Sequence, residues 1–167
     1  LTSVLYRRAP KPPAPRATTQ RPAIAVLYTT RDDFVERSAQ SCVELDYPAF
    51  HVYLLDDSDR PESRARVDAF ASHYPERVTV VRRPDRRGFK AGNLNHALQH
   101  VAHEPYFAVV DADEVLPRDF LMGLLPYLTA DEACGFVQAN HRSRPGADSP
   151  LARDMGVGID IHWKWYQ

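Results

Sequence analysis

Residues 107–116 read FAVVDADEVL, an apolar run that ends abruptly in Asp111 and Asp113, with Glu114 directly behind them. The apolar part is typical of a buried strand. Side chains two residues apart in an extended segment point to the same side, so both aspartates can face one hard cation. Neighbouring carboxylates repel each other unless a cation neutralises them, and Mg²⁺ or Mn²⁺ suits carboxylate oxygens. An isolated acidic pair also occurs in ordinary solvated loops, but its place after a buried strand favours a metal site.

Strand and helix patterns alternate along the chain. Short β-prone runs lie at residues 23–28, 51–55, 77–81, 106–110 and 135–140. Between them, apolar residues recur at helical spacing over residues 34–45, 62–74, 91–102 and 118–128, the last containing Pro126. This alternation predicts an α/β domain, a Rossmann-like three-layer sandwich around a mainly parallel central sheet.

Polar residues follow three of the predicted strands at the point where each strand ends. The first strand runs into TTRDD at 29–33, the second into DDSD at 56–59, and the fourth into Asp111 and Asp113. Ligands of open α/β sheets bind outside the carboxyl ends of the strands. We therefore expect one site there, suited to a cation and a phosphate.

Two further residues could contribute to that site. The segment RRPDRRGFKAGN at 82–93 places Lys90 in a loop between two glycines, which permit close backbone approach to a ligand. An ammonium there would offset phosphate charge, although a surface lysine is the alternative. Asp57 could accept an N–H of a nucleobase, or it could be a turn aspartate that caps the following helix.

Composition narrows the class of protein. The chain has 167 residues, 44% hydrophobic and 26% charged, as in one soluble globular domain, and no apolar run approaches a membrane span. Residues 1–22 are rich in proline and contribute +5 to a net charge of −1, so the remainder carries −6. We interpret residues 1–22 as a tether, either disordered or a juxtamembrane linker facing anionic lipid. Because the folded part is acidic, no nucleic-acid partner is expected.

The cysteines and histidines show no spacing typical of metal ligands. Cys42 and Cys134 lie in unrelated apolar contexts, which predicts two reduced thiols in the core and a reducing, cytoplasmic setting. The seven histidines are interpreted as surface or packing residues.

Five ordered blocks resemble the processive, cellulose-synthase-like family 2 glycosyltransferases: AIAVLYTTRDD, VYLLDDSD, GFKAGNLNHAL, YFAVVDADEVLPRDFL and GFVQAN. The resemblance covers residues 23–140 and implies a GT-A fold that binds a nucleotide sugar. It also implies Mg²⁺ or Mn²⁺ as cofactor, a UDP-sugar as donor and a glycan or polysaccharide as acceptor.

The resemblance further implies roles for single residues. The nucleotide sugar would be bound by Thr29, Arg31, Asp57, Lys90 and Asp111, and the metal by Asp111 and Asp113. Asp57 would pair with the uracil, Lys90 would lie near the phosphates, and Asp113 would ligate the metal directly. Asp111 would meet the region between the ribose and the metal.

Two motifs of that family do not occur in these residues. They are the T/S-E-D motif that supplies the general base and the Q-x-x-R-W motif that holds the acceptor. We therefore assign no catalytic residue and interpret the chain as the donor-binding part, with residues 141–167 as the start of the acceptor-side region. This fragment is expected to bind nucleotide without turnover. The parent protein is expected to be anchored at the cytoplasmic face of a membrane.

Two other classes of protein share parts of the pattern. VVDADEVL also fits the opening motif of haloacid-dehalogenase phosphatases, in which Asp111 would be the phosphoryl nucleophile. That class needs a downstream lysine and a further acidic pair, yet Lys164 is the only lysine after Asp113 and no later DD or ED occurs. The second alternative is a non-catalytic, receiver-like or nucleotide-sensing module that uses the DD pair, Asp111 and Lys90 as an acidic magnesium pocket.

Overall fold

The computed structural model describes residues 19, 21–101 and 103–139. There, strands and helices alternate as β1 (Ile24–Thr30), α1 (Glu36–Val43), β2 (Phe50–Asp56), α2 (Pro61–Ser72), β3 (Val78–Val81), α3 (Phe89–Ala97), β4 (Tyr106–Asp111) and α4 (Phe120–Leu128). The predicted alternation is confirmed from the first strand to the fourth helix. Pro126 lies inside α4, as expected. All four strands belong to one compact unit, Thr18–Gly123.

The strands form one parallel sheet in the order β3-β2-β1-β4. In β1, residues 25–28 are completely buried, which explains why this strand shows a continuous apolar run instead of alternation. From β1 the chain proceeds through β2 to β3, and then crosses back past β1 to β4. Such a reversal opens a crevice at the carboxyl ends of β1 and β4, where ligands of α/β sheets bind.

Helices cover both faces of the sheet. α3 packs on the face that carries Leu27 and Leu55, both fully buried. On the opposite face, the Tyr28 ring lies 5.9 Å from that of Phe34, and Phe34 lies 5.6 Å from Phe70 of α2. Burying a side chain of this size stabilises the fold by about 1.5–3 kcal/mol. The predicted three layers are therefore present.

β4 has a strand neighbour on one side only among the described residues. The register pairs Phe107 with Ala25 and Val109 with Leu27, so these four side chains share a face. Ala25 and Leu27 are fully buried, whereas Phe107 is 54% and Val109 39% exposed. α3 therefore covers the centre of this face and leaves its β4 side open to solvent.

The strand predicted at 135–140 is wrong over its described part, residues 135–139, which form no strand. Phe136 there is 80% exposed. A β-prone run becomes a strand only when a neighbouring strand supplies hydrogen bonds and packing, and composition does not reveal whether it does.

The interpretations of residues 1–22 as a tether and 141–167 as an acceptor-side region lie outside the described residues, apart from residues 19, 21 and 22. Within the part that the structure describes, no helix combines the length and the apolar character needed to cross a membrane.

Candidate functional site

The carboxyl ends of β1 and β4 bring Thr29 beside Asp111. The two residues are partners in the parallel register. The Thr29 hydroxyl lies 3.1 Å from Asp111 Oδ1, to which it donates, and 3.3 Å from the Val110 carbonyl oxygen. The Asp111 side chain is nevertheless 48% exposed. It is therefore oriented by a neighbouring strand and still accessible to a ligand.

Lys90 reaches the same carboxylate from α3. Its ammonium contacts Asp111 Oδ1, and the lysine side chain is half-exposed. The predicted loop position of Lys90 is wrong, since Lys90 is the second residue of α3. The chain turns into this helix at Gly88, whose φ of 71° favours glycine. A cation in the first turn faces the positive end of the helix dipole, and the aspartate offsets that repulsion.

Asp57, directly after β2, is held by Arg83. The guanidinium donates from Nε to Oδ1 at 2.9 Å and from Nη2 to Oδ2 at 2.6 Å. The side chains of Asp57 and Arg83 are only 9% and 5% exposed. Arg83 also donates to the carbonyl oxygens of Arg87 and Phe89, at 2.7 and 2.8 Å. The hydrogen bonds that the guanidinium donates to Asp57 raise the pKa of Arg83 above its ordinary value.

Sequence reasoning did not single out Arg83. The order of the elements did indicate a possible pair, because Arg83 follows β3 and Asp57 follows the neighbouring strand β2. However, RRPDRR at 82–87 contains four arginines, and only the fold shows which one turns inward. The structure pairs Arg82 with Asp56 and Asp68, and Arg86 with Asp59.

One continuous set of contacts links the strand ends. The Asp57 backbone N–H donates to the Thr30 carbonyl oxygen at 3.0 Å, which fixes the exit of β2 against β1. Arg83 then connects Asp57 to the backbone of Phe89, next to Lys90. The side chains joined in this way form the rim cluster: Thr29, Asp57, Arg83, Lys90 and Asp111.

Arg31 and Asp113, the other two predicted site residues, lie at the same edge but farther out. Arg31 is exposed and its guanidinium is 3.4 Å from the Asp59 carboxylate. Asp113 is exposed in a turn, closed by the Glu114 N–H donating to the Asp111 carbonyl oxygen at 3.1 Å. The strand ends at Asp111, so the extended geometry expected to align Asp111 with Asp113 was wrong. A tight turn brings both residues to the edge instead.

The loops after β1 and β2 are fixed to each other by Asp32. Its φ is 61°, a left-handed conformation that aspartate tolerates better than most residues. Its N–H donates to Ser58 Oγ at 2.9 Å, and its carboxylate accepts the Arg60 N–H at 3.0 Å. The backbone hydrogen bond from Arg60 is the main reason that the pKa of Asp32 is lowered.

The two carboxylates after β4 are of the ligand type that hard divalent cations prefer. Asp111 and Asp113 offer two carboxylates, and proteins hold Mg²⁺ through one or two carboxylates while substrate phosphates and water complete the shell. Across residues 19, 21–101 and 103–139, no group of three or more His, Cys, Asp or Glu side chains is arranged to hold a metal ion. An ion at Asp111 and Asp113 would therefore need further oxygen atoms from a ligand or from water.

Comparison with known proteins shows to which family this chain belongs. The model described as Glycosyl transferase family 2 matches residues 24–156. The chain belongs to that family. The resemblance recognised in the five sequence blocks is thereby confirmed.

Curated relatives of this family 2 chain include a cellulose synthase subunit and a glucomannan mannosyltransferase. It is 28% identical over 156 residues to the UDP-forming cellulose synthase 1 catalytic subunit of Komagataeibacter xylinus, covering 90% of this chain and 20% of that protein. It is 32% identical over 126 residues to glucomannan 4-beta-mannosyltransferase 1 of Cyamopsis tetragonoloba, covering 71% and 24%. The chain thus spans 20–24% of the length of these relatives.

Solved structures agree with the family 2 assignment. Mannosyltransferase PcManGT from Pyrobaculum calidifontis, in complex with GDP-Man and Mn²⁺, matches with a TM-score of 0.64 and 29% identity, over 76% of this chain and 38% of that one. S. aureus TarS 1-349 in complex with UDP-GlcNAc matches in fold alone, with a TM-score of 0.52 and 19% identity, over 60% of this chain and 29% of that one. The α/β fold of this chain is of the GT-A type.

Proposed function

We propose that this chain is the donor-binding part of a glycosyltransferase. The parent enzyme would move a hexosyl unit from a nucleoside-diphospho-sugar, first of all a UDP-sugar, to a glycan or polysaccharide acceptor. The observation that carries the proposal is the rim cluster at the crevice of the sheet. It brings together a hydrogen-bond acceptor for the base (Asp57), a cation (Lys90) and an accessible carboxylate (Asp111). A nucleoside diphosphate with its metal requires all three functions, the first at its base and the other two at its diphosphate and metal.

Asp57 is the acceptor that we propose for the base. An ionised carboxylate only accepts hydrogen bonds and has about four lone-pair sites, so the bidentate contact with Arg83 leaves acceptor capacity. Uracil presents an N–H at N3 and guanine an N–H at N1, each beside a carbonyl group. Cytosine has no N–H at N3. UDP and GDP should therefore pair with Asp57 through a ring N–H flanked by carbonyl groups, whereas CDP could offer only its exocyclic amino group and should bind more weakly.

Lys90, Asp111 and Asp113 are the groups that we propose for the diphosphate and its metal. When bound, Mg²⁺ or Mn²⁺ would stabilise the negative charge of the departing diphosphate. Thr29 would keep the Asp111 carboxylate oriented, and Arg31 would line the outer side of the nucleotide pocket. No residue of this chain is assigned as the base, so we propose nucleotide binding without sugar transfer by these 167 residues. The parent protein would act at the cytoplasmic face of a membrane.

Nucleotide-dependent protection against heating tests this function. UDP with Mn²⁺ should raise the melting temperature of the chain, because a ligand at 100 times its dissociation constant adds about 2.7 kcal/mol of stability. Mn²⁺ alone, or CDP with Mn²⁺, should raise it less than UDP with Mn²⁺ does. Equilibrium dialysis of UDP should show at least a roughly tenfold loss of affinity in Asp57→Asn, since one acceptor oxygen becomes a donor.

The matched control is Asp85→Asn, which removes an exposed carboxylate near the same edge and should retain UDP binding. Equal protection by Mn²⁺ with and without UDP would support the receiver-like alternative. Retention of CDP as strong as that of UDP would remove Asp57 from base recognition.

A further inference from the structure

We propose that Lys90 occupies the cation position at Asp111 until a nucleotide arrives, so that the site takes a metal–nucleoside-diphosphate complex in preference to the bare cation. This inference rests on the proposed function and specifies the form in which its ligand enters. It can be tested by measuring metal binding and nucleotide binding, without sugar transfer.

One oxygen of the Asp111 carboxylate has two donors. Asp111 Oδ1 accepts the Thr29 hydroxyl at 3.1 Å and also contacts the Lys90 ammonium. A carboxylate oxygen has two lone pairs, so both are engaged. A divalent ion that binds this oxygen must displace one donor. The ammonium is the one that repels the ion, so Lys90 has to leave.

Lys90 can leave Asp111 without rearrangement of the fold. Its backbone lies in the first turn of α3, where the Gly92 N–H donates to the Gly88 carbonyl oxygen at 2.9 Å. Arg83 holds the preceding carbonyl, that of Phe89, at 2.8 Å. The lysine side chain is 50% exposed and has a flexible four-carbon stem. Only this side chain must rotate.

A diphosphate reverses the effect that Lys90 has on metal binding. A bare cation brings positive charge to a lysine that already faces the positive end of the α3 dipole. A metal-bound diphosphate brings negative charge to the same end of the helix, where both the dipole and the ammonium favour it. Lys90 therefore opposes the metal alone and supports the metal–nucleotide complex.

Lys90→Met separates the two effects, because methionine keeps an unbranched stem without the charge. Binding of Mn²⁺ alone, followed by the loss of the electron paramagnetic resonance signal of free Mn²⁺, should become roughly fivefold tighter, the size of one exposed ion pair. Dialysis of UDP at saturating Mn²⁺ should show roughly tenfold weaker binding, because a charge-assisted contact to phosphate is lost.

Arg87→Met is the matched control, since Arg87 is a cation of the same segment whose side chain is 92% exposed. It should change neither measurement. Unchanged or weaker Mn²⁺ binding in Lys90→Met, or an equal gain in Arg87→Met, would overturn this inference alone. Failure of the wild-type chain to retain UDP with Mn²⁺ would overturn the proposed function and this inference with it.

Discussion

Arg83 and Asp57 form an ion pair that is almost withdrawn from water, at 5% and 9% exposure. Removing two charges from water costs several kcal/mol, which good geometry and additional hydrogen bonds have to offset. Here two parallel N–H donors meet the carboxylate, and the carbonyl oxygens of Arg87 and Phe89 accept further N–H groups of Arg83. Loss of one partner should therefore cost more than the pair contributes as a whole.

Arg83→Met is expected to lower the free energy of unfolding by roughly 3 kcal/mol, because it leaves the Asp57 charge nearly buried without a partner. Adding Asp57→Leu should restore part of that loss, since no buried charge then remains. Urea denaturation followed by circular dichroism measures both changes. A loss of stability in Arg83→Met no larger than that in Arg87→Met would contradict a buried ion pair at this position.

For single residues, the sequence predicted at which edge of the sheet the acidic side chains lie, but not which side chains they pair with. Asp57 and Asp111 could be predicted because each ends an apolar run, and parallel strands place such ends at one edge. Arg83 could not be chosen among four arginines, since its inward position depends on contacts with the start of α3. The turn that contains Asp113 is closed by the Glu114 N–H donating to the Asp111 carbonyl oxygen at 3.1 Å and by the Asp111 N–H donating to Glu114 Oε2 at 3.0 Å, a pairing that the strand pattern did not predict.

Among the elements, α3 shows how close packing positions a site residue. A Cβ at Gly92 would lie 1.8 Å from the Arg87 carbonyl oxygen and 2.6 Å from Arg83 Nη1. The segment before α3 therefore folds directly onto the first turn of this helix. That approach carries Arg83 to Asp57 and places Lys90 opposite Asp111.

Gly92→Ala should destabilise the chain by about 1–3 kcal/mol, because the backbone must move to make room for the methyl group. Gly123→Ala is the opposite case, since nothing lies within 4 Å of a Cβ at this exposed position inside α4. It should stabilise by about 0.5–1 kcal/mol through better helix propensity. Thermal unfolding of both variants distinguishes the signs. Equal shifts in one direction would contradict the packing described for α3.

Helical periodicity was sufficient to predict that each helix exists, but not where α3 begins. The predicted start at residue 91 followed the apolar pattern, whereas the helix starts at Phe89 after a left-handed glycine. Conversely, the apolar run at 135–139 has the composition of a strand and does not form one. Local propensity predicts a strand correctly only where neighbouring strands supply hydrogen bonds and packing.

For the whole molecule, burial of one thiol reports on global unfolding. Cys42 of α1 is fully buried, which raises the pKa of its thiol to about 12. Cys134 is free and only half-buried, with Sγ 3.4 Å from the Phe136 carbonyl oxygen. The prediction of two core thiols is therefore right for Cys42 and wrong for Cys134, whose apolar neighbours in sequence do not enclose it.

Iodoacetamide at pH 8 should label Cys134 in the folded chain and leave Cys42 unmodified. The reactive species is the thiolate, and a thiol with a pKa of about 12 is almost entirely protonated at that pH, besides being inaccessible. Cys42 should become labelled in proportion to unfolding by urea. Mass spectrometry of digested samples measures both sites. Comparable labelling rates at the two cysteines without urea would contradict the burial of Cys42.

The sequence predicted a parallel sheet but not the order of its strands. Alternation of strands and helices leaves open on which side of β1 each strand is added. The reversal that places β4 next to β1 results from the crossover through α3, which covers the opposite face from α2. The crevice thus depends on topology, although the residues that line it could be recognised beforehand.

The open side of β4 affects how the protein behaves in concentrated solution. Among the described residues β4 has a strand neighbour on one side only, and such an edge with the exposed Phe107 and Val109 is a template for a strand of another molecule. Precipitation should accordingly begin there and be promoted by sulfate, which strengthens apolar association. A lysine in place of Val109 would discourage such aggregation, because self-pairing would then bury a charge.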